Sequence, residues 1–578
     1  MADPPEHSTV RYEPDERPPL PLALGTGLQA ALTIVTPVVI TVVIVARAAG
    51  QTDSYITWGA FAALLVSGAT TILQAVRLGR FGSGHVLMMG TSGAFIAVCV
   101  AALEAGGPRL MASLVAVSSL FQFMLAARLS LLRRIFTPVV SGTVVMLIAA
   151  TVLPIVFETL EDVPEGTPQA AAPIVAGTTI AVVAGIVLRG SPVWRLWAPI
   201  TGIVVGCAVA APFGIYDTAQ VADATWVGVP LGSWPGIDLA PDNDFWALLP
   251  AFVVVTIVGA VETIGDGIAI QTVSRRKPPA TDFRTVQGAL NADGVGNLFS
   301  GLLGTLPNTT YSSSISVAEV TGVAARRVGV AIGGALLALA FFPKFTAALI
   351  AIPPAVAAAY ITVLVGMLFV QGMRLVARDG INHRTAAVVG VSFWIGAGFQ
   401  NGWIFPDLIE DGFFETLLGN GMAAGTLTAV LMTSFIELTA PKPRRLRIPL
   451  DGDALERLSE FLGVFAADES WDAESTGRLE AAGEETLEIL RQHDGTEQGR
   501  WLAVTARADG SAAEIEFATV VGGGNIEDRL AYLDELPPAL DEREVSFRLL
   551  RHYASSVRHQ QYHGTDVISV TVEKQSSG

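Results

Sequence analysis

The run FWALLPAFVVVTIVGAVETIGDGIAIQTVSRR, Phe245 to Arg276, is apolar for longer than a bilayer is thick, yet it carries Glu262 and Asp266 near its middle. Roughly 20 apolar residues cross a hydrocarbon core, so the segment reads as membrane-spanning. A carboxylate at that depth costs about 2.5–3.5 kcal/mol on insertion scales and is retained for a site, a pathway or a proton relay. Spaced i, i+4, the two lie on one helical face and look into one space.

The rest of the chain has the same character. Charged residues make up only 15% of the 578, and mean hydropathy is +0.51. A soluble domain carries about 25% charge, so the class is polytopic α-helical membrane protein. No Walker loop or Ser/His/Asp grouping appears in the sequence, and no enzyme is expected. The net charge of −17 is local: residues 451–578 hold 26 acidic against 11 basic side chains, a balance of 11 − 26 = −15. The acidic excess therefore belongs to a tail and says nothing of an acidic substrate. Cys99 and Cys207 both lie in apolar spans, and no spacing of ligands calls for a metal or cofactor.

Apolar segments fall at 22–47, 54–76, 86–103, 109–128, 135–157, 171–188, 196–215, 245–272, 291–306, 311–324, 327–343, 347–371, 385–399 and 418–438, fourteen in all. Basic clusters follow every even-numbered one, from Arg77/Arg80 through Arg275/Arg276/Lys277 and Arg326/Arg327 to the run Lys442–Arg447. This bias places both termini in the cytoplasm, with the inner membrane as the location.

The third and tenth segments, HVLMMGTSGAFIAVCVAAL and LPNTTYSSSISVAEVTGVAARR, put a polar stretch just before a helical run at equivalent positions of the two halves. Seven segments per half inverts the second half, and such paired interruptions point to a site between inverted repeats. Two half-helices there would offer N-terminal amides to an electron-rich ligand. Residues 1–20 read as a disordered lead, 21–440 as the membrane domain, 441–447 as a basic linker and 448–578 as a soluble α+β domain. In the tail the periodicity predicts helices at 453–467, 474–492, 525–536 and 545–559 and strands at 501–508, 512–520 and 566–573.

Ordered fragments of this chain resemble the nucleobase–ascorbate transporters, which include uracil and xanthine permeases. RPPLPLALGTGLQAALTIVTP resembles their opening helix, MGTSGAFI the third segment, RIFTPVVSGTVVMLIA the fifth, VETIGD the eighth, and DGVGNLFSGLLGTLPNTTYSSSISVAEVTG the ninth and tenth. The resemblance covers about residues 18–440. It implies a 7+7 inverted repeat split into core and gate domains, often dimeric through the gate. The tail's element order loosely resembles a histidine-kinase-like ATPase fold lacking its nucleotide-binding Asn and Asp-Gly. An unrelated regulatory domain is the other reading.

The resemblance makes Glu262 the acceptor for the ring N–H groups of a base and Asp266 the proton-coupling group. Tyr311, Ser312, Ser313 and Ser314 of the tenth segment, with Thr91, Ser92 and Gly93 of the third, are the other candidate substrate contacts. Ser313 stands where the family carries Glu or Gln, and Gly93 where uracil permeases carry a stacking Phe. The pocket is therefore expected to be roomier or water-bridged. Helix packing through small residues is the alternative for the serines. Asp293 reads as a helix cap and Glu319 as an ion pair with Arg326.

The function implied is secondary transport of a nucleobase such as uracil, xanthine or another purine by alternating access. Proton symport is expected, with sodium the other possible coupling ion. A sulfate- or bicarbonate-type anion transporter on the same fold and a transport-decayed sensor signalling through its tail are the alternatives.

Overall fold

The protein is described from a computed structural model covering residues 10–574, apart from 130–136, 161, 165, 217–218, 239–241, 278, 378–379, 407–420, 440–441, 493–500, 510–511, 520–525, 532–541 and 564. It divides into two compact units, residues 1–277 with 285–435, and residues 278–284 with 436–578.

The first unit begins with α1 (Leu20–Ala48) and α2 (Asp53–Val76), then β1 (Met89–Thr91), a short 3-10 turn and α3 (Ile96–Ala127). α4 (Pro138–Leu160), α5 (Ala171–Arg189), α6 (Pro192–Ala210) and α7 (Asn243–Val273) follow. The second half holds α8 (Phe283–Leu303), β2 (Asn308–Thr310), α9 (Ser313–Thr321), α10 (Arg326–Ala340), α11 (Pro343–Ile350), α12 (Pro354–Ala377), α13 (His383–Gln400) and α14 (Gly421–Thr439). Eight of these helices are long and apolar enough to span a membrane, or nine if α10 and α11, bent by 86°, form one span, among the described residues. Each of the fourteen expected segments has a helical counterpart. The third and fourth share α3, which breaks at Gly107 (φ 71°) and Pro108, where the ring removes a helix donor.

The packing repeats when seven is added to the segment number. β1 pairs antiparallel with β2, Gly90 opposite Thr309, so the third and tenth segments meet as short strands leading into helices. α2 packs on α10, where a Cβ on Gly68 would lie 2.7 Å from the Gly333 carbonyl. Its counterpart sets α8 on α3, where a Cβ on Gly301 would lie 2.5 Å from the Ala116 amide. α5 lies on α12 as α13 lies on α4. Glycine at these crossings lets backbones touch, which is how helices associate where water supplies no hydrophobic drive. The helices thus sort into a core group (α1–α3 and α7–α10) and a gate group (α4–α6 and α12–α14).

The N-terminal lead departs from expectation over residues 10–19, while residues 1–9 lie outside the described residues. Residues 10–19 are ordered against the core: Arg11 N donates to Gly322 O at 2.7 Å and Ala324 N to Tyr12 O at 2.9 Å. Glu16 pairs with Arg276 at 2.7 Å and Asp15 with Arg326 at 2.8 Å. The acidic run YEPDE finds the basic ends of α7 and α10, and this complementarity fixes a stretch whose composition reads as disorder. The Arg276 guanidinium holds the Glu16 carboxyl below its usual range. Arg326 is thereby engaged, and the exposed Glu319 does not form the ion pair expected of it.

The second unit is a five-stranded antiparallel sheet, ordered β3-β4-β5-β7-β6, with helices α15 (Ala454–Asp468), α16 (Ala473–Gln492), α17 (Ile526–Ala531) and α18 (Glu542–Tyr553). Its strands are β3 (Arg444–Pro449), β4 (Trp501–Asp509), β5 (Ala512–Thr519), β6 (Ser556–Tyr562) and β7 (Thr565–Glu573). Leu462, Phe465, Val504, Phe517, Leu550 and Ile568 centre one core. Two expectations are corrected. The basic linker is largely strand β3: Leu446 and Ile448 face that core while Arg445 and Arg447, on the alternate positions, point outward. Residues 556–559 belong to strand β6 rather than the end of a helix, with Val557 paired to Val570. The glycine run at 522–524 lies outside the described residues.

Candidate functional site

α7 starts under a cap, Asp242 Oδ1 accepting from Phe245 N at 2.9 Å, and runs unbroken to Val273. On one face it presents Gly259, Glu262 and Asp266. Gly259 lies near Phe95 at the head of α3 (3.7 Å to an added Cβ), and Asp266 reaches the head of α9. Glu262 therefore sits between the N-terminal ends of the two half-helices, about 6 Å along the axis from Asp266.

Asp266 is buried and fully committed. Thr310 Oγ1 donates to its Oδ2 at 2.8 Å and Ser312 Oγ to its Oδ1 at 2.7 Å. Glu262 is half-buried, and its carboxylate has no hydrogen bond or ion pair among the described residues. An ionised carboxylate only accepts, and the described residues offer this one no donor. Ser312 and Ser313 leave their backbone amides without acceptors among the described residues, as do Gly93 and Ala94. These are the unsatisfied first-turn donors of two helices.

The other candidates divide. The Ser313 side chain is partly accessible and has no hydrogen bond among the described residues. A Cβ on Gly93 would meet nothing within 4 Å, so there is room where a larger side chain would stand. Ser92 is buried, its hydroxyl unpartnered among the described residues. Tyr311 packs across Gly90, its hydroxyl donating to Thr91 O at 2.9 Å. Ser314 and Thr91 are engaged in the scaffold. Ser314 Oγ accepts from Met88 N at 2.8 Å, and Thr91 Oγ1 donates to Val38 O at 3.0 Å beside Pro37 of α1.

Behind the site lies a buried polar network that the sequence reading did not assemble. Thr310 Oγ1 is 3.3 Å from Thr263 Oγ1, and Thr263 donates to Asp293 Oδ2 at 2.7 Å. Gln122 of α3 donates to the same oxygen at 2.5 Å, Asn297 to Gln122 Oε1 at 2.8 Å, and Asn308 N to Asn297 Oδ1 at 2.6 Å. Asp293 is thus no cap; it lies fully buried inside α8. Its i, i+4 spacing to Asn297 in the Gly-rich run NADGVGN was the available signal. Such a network stiffens the strand crossing because most of its buried groups satisfy one another, with Asn308 Oδ1 left unpartnered among the described residues. No group of three or more metal-ligating side chains occurs among the described residues.

The chain resembles known transporters along most of the first unit. It is 27% identical over 449 residues to xanthine permease XanP of Escherichia coli, an alignment covering 74% of this chain and 94% of that protein. It is 27% identical to the putative purine permease CPE0397 of Clostridium perfringens, covering 74% and 93%, and 26% identical to the nucleobase transporter PlUacP of Paenibacillus larvae, covering 71% and 93%. Among solved structures, the murine anion transporter Slc26a9 in its inward-facing state matches with TM-score 0.50 at 14% identity, covering 76% of this chain and 72% of that one, a likeness of fold alone. The model of the xanthine/uracil permease family, described as a permease family, matches residues 23–402 and stops short of the tail. By that match the chain belongs to the nucleobase–ascorbate transporter family of permeases, a multi-pass membrane transporter and not an enzyme.

Proposed function

We propose that this permease carries a nucleobase, such as xanthine, uracil or another purine, across the inner membrane by alternating access, as a proton symporter. The unpartnered Glu262 carboxylate between two half-helix N-termini carries the reading. A nucleobase offers ring N–H donors to such a carboxylate and ring carbonyls to free amides, which is the inverse of what the site presents. The relatives named as a xanthine permease, a putative purine permease and a nucleobase transporter support the substrate class.

Asp266 is the proposed proton carrier and Glu262 the substrate ligand, with Ser313, Ser92 and Gly93 lining the base. Uptake and release of a proton at Asp266 would change its bonds to Thr310 and Ser312, hence the position of the α9 head beside the base. Coupling requires such a difference in binding energy between states. Both termini lie in the cytoplasm in this reading, where Arg275, Arg276 and Arg326 face the acidic lead. The chain functions as a homodimer through its gate, and the acidic tail is regulatory.

Uptake of labelled xanthine, uracil and guanine into proteoliposomes tests this, under an imposed proton gradient and, separately, a sodium gradient. Accumulation of one base driven by protons is expected. Accumulation driven by sodium alone would replace the coupling ion. Uptake of no base, or uptake indifferent to both gradients, would overturn the reading.

A further inference from the structure

α12 belongs to the gate group, packing on α4, α5 and α6, yet one of its side chains enters the carboxylate site of the core. Gln371 Nε2 donates to Ser312 Oγ at 3.1 Å, and Ser312 Oγ donates to Asp266 Oδ1 at 2.7 Å. Chemistry fixes the direction of this chain. An amide N–H only donates, an ionised carboxylate only accepts, and a hydroxyl donates its one proton while its lone pairs still accept. Ser312 can give its proton to Asp266 and still be held from behind by Gln371. The contact therefore links a gate helix to the core carboxylate through a single hydroxyl.

We infer that Gln371 is a latch: it holds the Asp266–Ser312 pair to the gate in the arrangement seen here, and the gate leaves the core only when this hydrogen bond breaks. Gln371 is a positioning residue that acts through Ser312. The inference rests on the reading that the two helix groups move against each other. The titratable groups around the latch are Glu262 one turn back on α7, Asp293 beyond Thr310 and Thr263, Tyr311 on the α9 side, and Arg374 one turn along α12. Their charges surround the chain, but Ser312 Oγ is bonded to Asp266 and Gln371.

A thiol reporter tests the latch without any substrate. Ser313→Cys is introduced with Cys207→Ser, leaving the buried Cys99 in place, and its alkylation by N-ethylmaleimide is timed in the full-length protein. Rates are expressed relative to the reporter parent at the same pH. Gln371→Ala should speed alkylation about fivefold at every pH, the factor expected for loss of one hydrogen bond. Gln371→Glu keeps the shape but donates only when protonated, so it should be fast at about pH 8 and move back toward the parent rate as pH falls to about 4, where most of an ordinary glutamate carries its proton. Ser312→Ala, which cuts the chain from the other side, should match Gln371→Ala. Parent-like rates in Gln371→Ala and Ser312→Ala, or a Gln371→Glu protein that stays fast in acid, would overturn the latch. A protein that takes up no base would sink the substrate reading and leave this result standing.

Discussion

Thr263→Val exchanges one buried hydroxyl for a methyl at nearly constant volume, and the network behind the site assigns that hydroxyl a definite role. It donates to Asp293 Oδ2 at 2.7 Å and lies 3.3 Å from the Thr310 hydroxyl that serves Asp266. Valine leaves Asp293 with Gln122 at 2.5 Å and a long contact from Asn297 at 3.5 Å. Removing one donor from a buried carboxylate costs about 1–3 kcal/mol. That is roughly a 5- to 150-fold fall in the folded-to-unfolded ratio. Unfolding of the purified protein by sodium dodecyl sulfate in mixed micelles reads the change. Thr263→Ser keeps the hydroxyl and should lose only about 1 kcal/mol for the missing methyl. A valine variant as stable as the parent, or a serine variant as damaged as valine, would refute the network.

Two further outcomes follow from particular contacts. Glu16 is held below its ordinary carboxyl value by Arg276, so its contribution is present above the unfolded value of about 4.3 and is lost as pH falls through the lower folded value. Glu16→Gln should then speed hydrogen exchange at Arg11 and Ala324 near neutral pH, while parent and variant converge in acid; equal exchange near neutral pH would remove the ion pair from the account. A Cβ on Gly372 would lie 2.7 Å from Gly142 O and 2.9 Å from Met146 N, so Gly372→Ala must push α4 and α12 apart at a cost of about 1–3 kcal/mol. Gly93→Ala meets no atom within 4 Å and should leave the same unfolding midpoint unchanged; equal midpoints in the two variants would count against the crossing.

What could be read in the chain was what periodicity and hydropathy carry. The i, i+4 pair Glu262/Asp266 in an apolar run placed both carboxylates on one face. The Gly- and Pro-marked third and tenth segments became the strands β1 and β2 with their half-helices. Direction of side chains within a polar run was not legible. In TTYSSS, Thr310 and Ser312 turn to Asp266 and Ser314 to Met88, and that depends on one residue of strand register. Gln371 stands in an apolar helix and acquires meaning only when α12 meets α9. Asp293 looked like a cap because α8 is rich in glycine and polar residues; its partners come from α3 and α7, far away in sequence. The lead and β3 were misread for a shared reason. In sequence their charges read as solvated, whereas the acidic lead has a basic partner surface and β3 has two inward aliphatic residues.

The central claim is that Glu262 receives the base and Asp266 does not. The most direct measurement is equilibrium binding of a nucleobase panel to the purified protein, to Glu262→Gln and to Asp266→Asn, each at two pH values. One base should bind to the parent, with affinity lost by at least about tenfold in Glu262→Gln, the worth of a hydrogen bond to a charged group. Binding should be retained in Asp266→Asn with its pH dependence gone. Binding that survives Glu262→Gln unchanged, or that is lost only with Asp266, would contradict a base held by Glu262.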